Sequence, residues 1–136
     1  MIIADTSGLL ALFNRREPSH TAVRTAVYAE HDGLVVSPFV VAELDCLVAT
    51  RLGVDAELSV LDELAGGAYH LAPFSATDLG VARGQVDRYR DQAIGIADAS
   101  LIVLADRHRT HSVLTLDRRH FDVLRALDGR PFDVLP

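Results

Sequence analysis

The chain contains no lysine, because all 13 of its basic residues are arginines. This absence excludes a lysine-dependent phosphate-binding loop, Schiff-base chemistry and a lysine general base. The single cysteine, Cys46, excludes an internal disulfide, and no apolar run approaches the roughly 18 residues that would suggest a membrane span. The first residues also lack the basic start and small-residue cleavage site of a signal peptide. We therefore expect a cytoplasmic protein that does not bind a membrane.

Positive charge is also scarce, and the formal net charge is −6 over 136 residues. Nonspecific coating of nucleic acid depends on neutralising phosphates with basic side chains, so this charge argues against that class of binding. The length suits one domain, which at this size buries roughly two-thirds of the surface that its unfolded chain exposes. We expect residues 1–136 to form a single domain.

Short apolar runs alternate with stretches of helical periodicity along the chain. The apolar runs predict strands at 2–5, 34–36, 69–74, 112–116 and 132–135. Residues 96–108 are apolar nearly all round, which predicts a helix packed against the middle of the domain. Strands separated by helices predict an α/β fold with a mostly parallel sheet, covered on both faces, whose working edge lies at the strand carboxyl ends.

Local signals predict where several helices begin. Ser37 as N-cap and Pro38 at the first helical position predict one start. Asp55 is expected to cap the next helix. The hydroxyls of Thr6 and Ser7 suit capping of the helix after the first strand, and orienting a neighbouring carboxylate or contacting phosphate explains them about equally well.

Four carboxylates fall where this fold gathers them at one edge of the sheet: Asp5, Glu43, Asp98 and Asp117. Asp5 and Asp117 close strands, and the helices of Glu43 and Asp98 begin at the same edge. One such acid often serves only as a helix cap. Glu43 and Asp98, however, have apolar neighbours at helical spacing, where charged side chains seldom lie without a partner. Two like charges about 4 Å apart repel by roughly 4 kcal/mol at an effective dielectric near 20, so we expect a cation among them.

The chemistry of this acid set favours a hard divalent cation. Mg²⁺ and Mn²⁺ prefer carboxylate and water oxygens, and Mg²⁺ usually keeps several waters while it bridges to substrate phosphates. Such a site suits phosphodiester hydrolysis by a metal-activated water. We expect Asp5 and Asp98 to bind the metal directly. Glu43 and Asp117 would hold the attacking water, a second ion or its hydration shell.

Short motifs around these acids carry a family resemblance. Ile-Ile-Ala-Asp5-Thr-Ser, Ala-Glu43-Leu, Gly-Ile-Ala-Asp98-Ala and Leu-Thr-Leu-Asp117-Arg-Arg-His-Phe occur in the order found in PIN domains. Over essentially its whole length the chain resembles this family, and most of all the VapC toxins of bacterial type II toxin-antitoxin pairs. The resemblance implies a three-layer α/β/α domain with a five-stranded sheet and a magnesium-dependent endoribonuclease with all four acids in its catalytic site. It also implies a homodimer that a small antitoxin protein neutralises.

Two other functions remain open from the residues alone. A metal-dependent phosphohydrolase or phosphoacceptor domain would also use an aspartate after a strand, although this chain lacks the lysine that such sites employ. A noncatalytic binding module would use the acidic pocket to receive a partner's arginines. The three functions differ in their products. A nuclease cleaves RNA only with metal, a phosphoacceptor forms an acyl phosphate, and a binding module does neither.

Arginine pairs are the candidate contacts for RNA phosphate. Arg15 and Arg16 are expected to end the first helix, and Arg118 and Arg119 directly follow the fourth acid. More often such arginines are simply solvated. Cys46 lacks a histidine partner and is expected in the core.

Overall fold

The computed structural model describes residues 1–136. Five strands form one sheet: β1 (Ile2–Ala4), β2 (Leu34–Val36), β3 (Tyr69–Leu71), β4 (Ser112–Leu114) and β5 (Asp133–Leu135). Their order across the sheet is β3-β2-β1-β4-β5, and every neighbouring pair is parallel. The predicted α/β fold with a parallel five-stranded sheet is confirmed.

Seven α-helices connect the strands. They are α1 (Thr6–Phe13), α2 (His20–Ala29), α3 (Pro38–Leu52), α4 (Val54–Ala65), α5 (Ala76–Arg88), α6 (Ile96–Arg107) and α7 (Arg118–Val123). Every residue of β1 and β2 is buried, which requires helices on both faces of the sheet. No helix combines the length and apolar character that crossing a membrane would require.

Helix α6 lies at the centre of the packing, as its apolar sequence predicts. Seven consecutive residues, from Ala99 to Ala105, are buried, and the helix packs against α3, α5 and β1. Because α6 runs back towards the start of β4, its own first turn lies at the carboxyl edge of the sheet. Asp98 occupies that first turn.

Helix α1 is packed unusually closely against the end of β4. A Cβ atom placed on Gly8 would lie 2.4 Å from the carbonyl oxygen of Leu114, so only a hydrogen fits there. The amide of Asp5 donates to that same carbonyl at 3.0 Å. The contact therefore fixes the start of α1 against the carboxyl ends of both β1 and β4.

Several local predictions are confirmed and others are wrong. Ser37 caps α3 by accepting a hydrogen bond from the backbone of Phe39. Asp55 lies within the first turn of α4, and the cap is Gly53, whose φ of 87° disfavours any residue with a side chain. β3 and β4 are each shorter than predicted and end at Leu71 and Leu114, level with the last paired residues of their neighbours.

Cys46 is exposed and not in the core. The buried stripe of α3 consists of Val40, Leu44 and Val48. Cys46 is two residues from Leu44, which places it on the far side of the helix.

Candidate active site

The four predicted acids all lie at the carboxyl edge of the sheet. Asp5 follows β1 directly and is only 7% exposed. Glu43 lies in the second turn of α3, Asp98 in the first turn of α6, and Asp117 in the turn between β4 and α7. Parallel strands and returning helices bring these positions together although the first acid and the last are 112 positions apart.

Two hydroxyls hold the carboxylate of Asp5. Its Oδ2 atom accepts hydrogen bonds from Ser7 Oγ at 2.8 Å and Thr115 Oγ1 at 2.7 Å, and the two hydroxyls lie 3.0 Å apart. No side chain caps α1, so the capping prediction is wrong for both Thr6 and Ser7. For Ser7 the structure shows the alternative, orientation of Asp5. Because Oδ2 receives both bonds, Oδ1 is left for a ligand.

Glu43 is tied to the same edge through Thr6. The Thr6 hydroxyl donates to Glu43 Oε2 at 2.6 Å, which joins α3 to the residue that follows Asp5. The Glu43 side chain is exposed and does not share the burial of its apolar neighbours on α3. Its other carboxylate oxygen faces no donor of the chain and is available for water or substrate.

His120 links the remaining two acids. Its Nδ1 atom lies 3.5 Å from Asp98 Oδ2 and 3.4 Å from Asp117 Oδ2. Sequence reasoning gave this histidine no role. Its spacing was the one sequence signal that could have indicated this role, because a residue three positions after Asp117 lies on the same side of the short helix α7.

Burial and the other acids raise the pKa of Asp98 to about 6. Removal from water is the largest cause, and the negative charge of Asp5 is the next. His120 opposes the increase, and Glu43 and Asp117 add to it. The charges of all three other acids therefore act on Asp98, and the edge behaves as one anionic site.

The donor set fits a hard cation that keeps part of its water. No three of the chain's acidic, histidine or cysteine side chains are grouped closely enough to hold one ion by themselves. Asp98 receives no hydrogen bond, and Asp5 has one free oxygen, so two carboxylates are available for direct contact. Mg²⁺ is commonly bound through one or two carboxylates and several waters, which matches this arrangement.

The candidate arginines are separated by the fold. Arg118 donates to the backbone carbonyl of Pro136. Arg119 lines a polar cavity of about 500 Å³ that it shares with His120. Arg15 lines a different cavity, of about 410 Å³, together with Tyr69 at the amino end of β3, so it lies away from the acids. Helix α1 ends at Phe13, so Arg15 and Arg16 lie beyond it and not in its last turn as predicted; Arg16 is exposed in the following turn.

Comparison with known proteins agrees with this architecture. Residues 2–127 match the PIN domain, and the chain belongs to the PIN domain family. It is similar to Ribonuclease VapC26 of Mycobacterium tuberculosis (strain ATCC 25618 / H37Rv), with 58% identity over 135 residues, 99% of this chain and 100% of that protein. The resemblance to VapC-type proteins drawn from the motifs is thereby confirmed.

Two solved structures share the fold at low sequence identity. VapC20 of Mycobacterium tuberculosis, described as a sarcin-ricin loop cleaving toxin, matches with a TM-score of 0.78 and 18% identity, over 86% of this chain and 90% of that one. FitAcB from Neisseria gonorrhoeae matches with a TM-score of 0.65 and 22% identity, over 98% of this chain and 97% of that one.

Proposed function

We propose that residues 1–136 act as a single nuclease domain, a magnesium-dependent endoribonuclease that serves as the cytoplasmic toxin of a toxin-antitoxin pair. The 58% identity to a VapC ribonuclease across the whole chain supports the activity. The observation that carries the metal requirement is the anionic edge, where Asp98 receives no hydrogen bond and its charge is opposed by burial and by Asp5. A divalent cation offsets both penalties.

The chain's own residues supply positioning at this site. Asp5, oriented by Ser7 and Thr115, would contact the ion through its free Oδ1 atom, and Asp98 would contact it from α6. When bound, the ion supplies Lewis-acid activation of water and stabilises the departing oxygen of the phosphodiester. Mn²⁺ offers the same coordination chemistry and is expected to substitute.

Glu43 and Asp117 serve the water and substrate side of the site. Thr6 holds one oxygen of Glu43, so the other is presented in a fixed direction towards water. Asp117 is about half exposed and close to His120, so it faces solvent at the rim and suits a role in holding hydration water or a second ion. In this assignment, all four acids are catalytic and only Asp5 and Asp98 are direct ligands.

The test is cleavage of purified ribosomal and transfer RNA by the purified protein with magnesium and with excess chelator. Cleavage should require the metal, and Asp98→Asn should lower its rate by more than about 100-fold, because loss of an outer-shell partner alone costs about 10–100-fold. The matched control is Asp62→Asn, which neutralises an exposed aspartate on α4, outside the four acids, and should keep the activity. Metal-dependent cleavage that survives Asp98→Asn at full rate would refute the ligand assignment.

The same preparation separates the two other functions. A phosphoacceptor would form an acyl phosphate on Asp5 when given a small phosphodonor, and a binding module would neither cleave RNA nor become phosphorylated. Two observations favour the nuclease. Ser7 and Thr115 orient Asp5 through its Oδ2 atom and leave Oδ1 free for an ion, and the chain has no lysine.

The antitoxin and the homodimer are separate parts of the proposal. The reading frame upstream of the gene is expected to encode a small protein with a DNA-binding start. Co-expression of that protein should restore growth and stop RNA cleavage by the purified complex. Sedimentation of the purified chain should give twice the mass of 14.8 kDa. Expression of this chain alone should inhibit growth of the host cells. If co-expression of the upstream protein leaves that inhibition unchanged, the toxin-antitoxin role is contradicted.

A further inference from the structure

A polar cavity of about 500 Å³ lies beside His120, the residue that contacts Asp98 and Asp117. Its lining contains no apolar residue and consists of Asp91, Gln92, Arg119, His120 and Asp122. His120 is also the residue whose Nδ1 atom lies within 3.5 Å of Asp98 and Asp117, so the cavity lies next to two of the four acids, one of which is the candidate metal ligand Asp98. Its size is in the range of about 300–1,000 Å³ that is typical of ligand clefts.

Arg119 is the cation of this cavity and has no partner within the chain. The arginines that form ion pairs are Arg83, Arg90 and Arg107. Those that donate hydrogen bonds are Arg90, Arg107, Arg118 and Arg125. Asp91 and Asp122 share the cavity with Arg119, but neither forms an ion pair with it. All five donors of its guanidinium are therefore free for a ligand.

The charge of the surrounding edge explains why a polyanion would need this arginine. A bound divalent cation would offset the charge of the scissile phosphate at Asp5 and Asp98. The neighbouring phosphate of the same strand would face an edge that carries Asp117, Asp91 and Asp122. A guanidinium at that position offers two parallel donors to phosphate oxygens, which is the geometry in which arginine binds phosphate most strongly.

We propose that Arg119 binds the RNA phosphate adjacent to the scissile one and so positions the strand across the four acids. This inference rests on the proposed ribonuclease function and names the side chain that its substrate contacts. It also distinguishes Arg119 from the residue beside it. Arg118 points to the carbonyl of Pro136 at the end of β5 and is already engaged.

The experiment compares Arg119→Gln with Arg118→Gln, which remove the same charge from adjacent exposed positions. Both changes are made in the Asp98→Asn background so that the probe, a short fluorescein-labelled single-stranded RNA of random sequence, is not consumed. Affinity is measured between about 50 and 200 mM salt, where phosphate contacts determine the slope of binding against salt. Melting temperatures of all variants confirm that each one is folded.

Arg119→Gln should weaken binding about tenfold, the effect of one charged hydrogen-bonding contact. It should also reduce the slope of log affinity against log salt by about 0.7, the contribution of one phosphate in a single strand. Arg119→Lys should restore the slope and only part of the affinity, because lysine keeps the charge and loses the bidentate geometry. Arg118→Gln should keep affinity within about twofold, as expected of an exposed charge without a phosphate contact.

In the chain with all acids intact, Arg119→Gln should raise KM for RNA cleavage more than it lowers kcat. Equal salt slopes and equal affinities for the two glutamine variants would overturn the inference while leaving the ribonuclease itself in place. If the unsubstituted protein fails to cleave RNA with magnesium, the proposed function is refuted instead, so the two failures are distinguishable.

Discussion

Neutralising Asp98 should make the metal-free protein more stable. The pKa of this carboxyl is raised from 3.8 to about 6, first by burial and then by Asp5. Each unit corresponds to about 1.4 kcal/mol, so the charged side chain costs the folded state at most about 3 kcal/mol. The side chain is 19% exposed and water screens part of this cost, so we take about half, roughly 1.5 kcal/mol. Asp98→Asn removes the charge and keeps the shape.

The pH dependence follows from the direction of the shift. Well below pH 3.8 the carboxyl is protonated in the folded and unfolded chain, so wild type and variant should be equally stable. As pH rises towards 6 the unfolded chain releases this proton more readily than the folded chain, and the wild type loses unfolding free energy. The advantage of Asp98→Asn should therefore appear between about pH 4 and 6 and be complete near pH 7.

The assay is thermal unfolding in excess chelator across this pH range, with Asp62→Asn on α4 as the control for removal of an exposed charge. A gain of about 1.5 kcal/mol should raise the melting temperature of Asp98→Asn by roughly 5 °C in a chain of this length. Magnesium should then stabilise the wild type and not the variant, because a ligand that binds only the folded state raises the free energy of unfolding by RT ln(1 + [Mg²⁺]/Kd). A variant that melts below the wild type at pH 7, or a difference that does not change with pH, would refute the reasoning.

Three further predictions concern the framework of the site. Thr115→Val removes a hydroxyl that donates to Asp5, so it should lower the unfolding free energy by about 1–2 kcal/mol. It should also weaken magnesium binding, measured by calorimetry, about tenfold. An unchanged affinity for magnesium would count against the orienting role of Thr115. Gly8→Ala should cost at least about 1–3 kcal/mol by chemical denaturation, because its Cβ meets the Leu114 carbonyl. Gly84→Ala in α5 meets nothing within 4 Å and should instead stabilise by about 0.5–1 kcal/mol. Equal effects of the two alanines would contradict the close packing of α1.

The sequence was sufficient to predict the sheet and the edge at which the acids meet. Apolar runs separated by helical periodicity define parallel strands, and the carboxyl ends of parallel strands share one edge by topology alone. Asp5 and Asp98 therefore reach the same edge whatever the details of packing. Their roles as metal ligands stay a prediction that the chelator and unfolding experiments test.

Only the tertiary structure decided how the acids are held. The hydroxyl of Ser7 suited helix capping and carboxylate orientation equally well. The contact of Gly8 with β4 places Thr115 beside Ser7, and both hydroxyls then donate to Asp5 Oδ2. That contact joins residues more than 100 positions apart, so no local pattern carries it. The position of His120 between two acids was decided in the same way.

The arginines show the same division between sequence and structure. The sequence places Arg118 and Arg119 together after the fourth acid, so both were equal candidates for contact with an RNA phosphate. The fold gave them different surroundings, since the end of β5 offers Arg118 a carbonyl and the cavity offers Arg119 no internal partner. Adjacent positions on a helix point about 100° apart, so what each side chain meets depends on the elements packed around the helix and is not encoded in the pair itself.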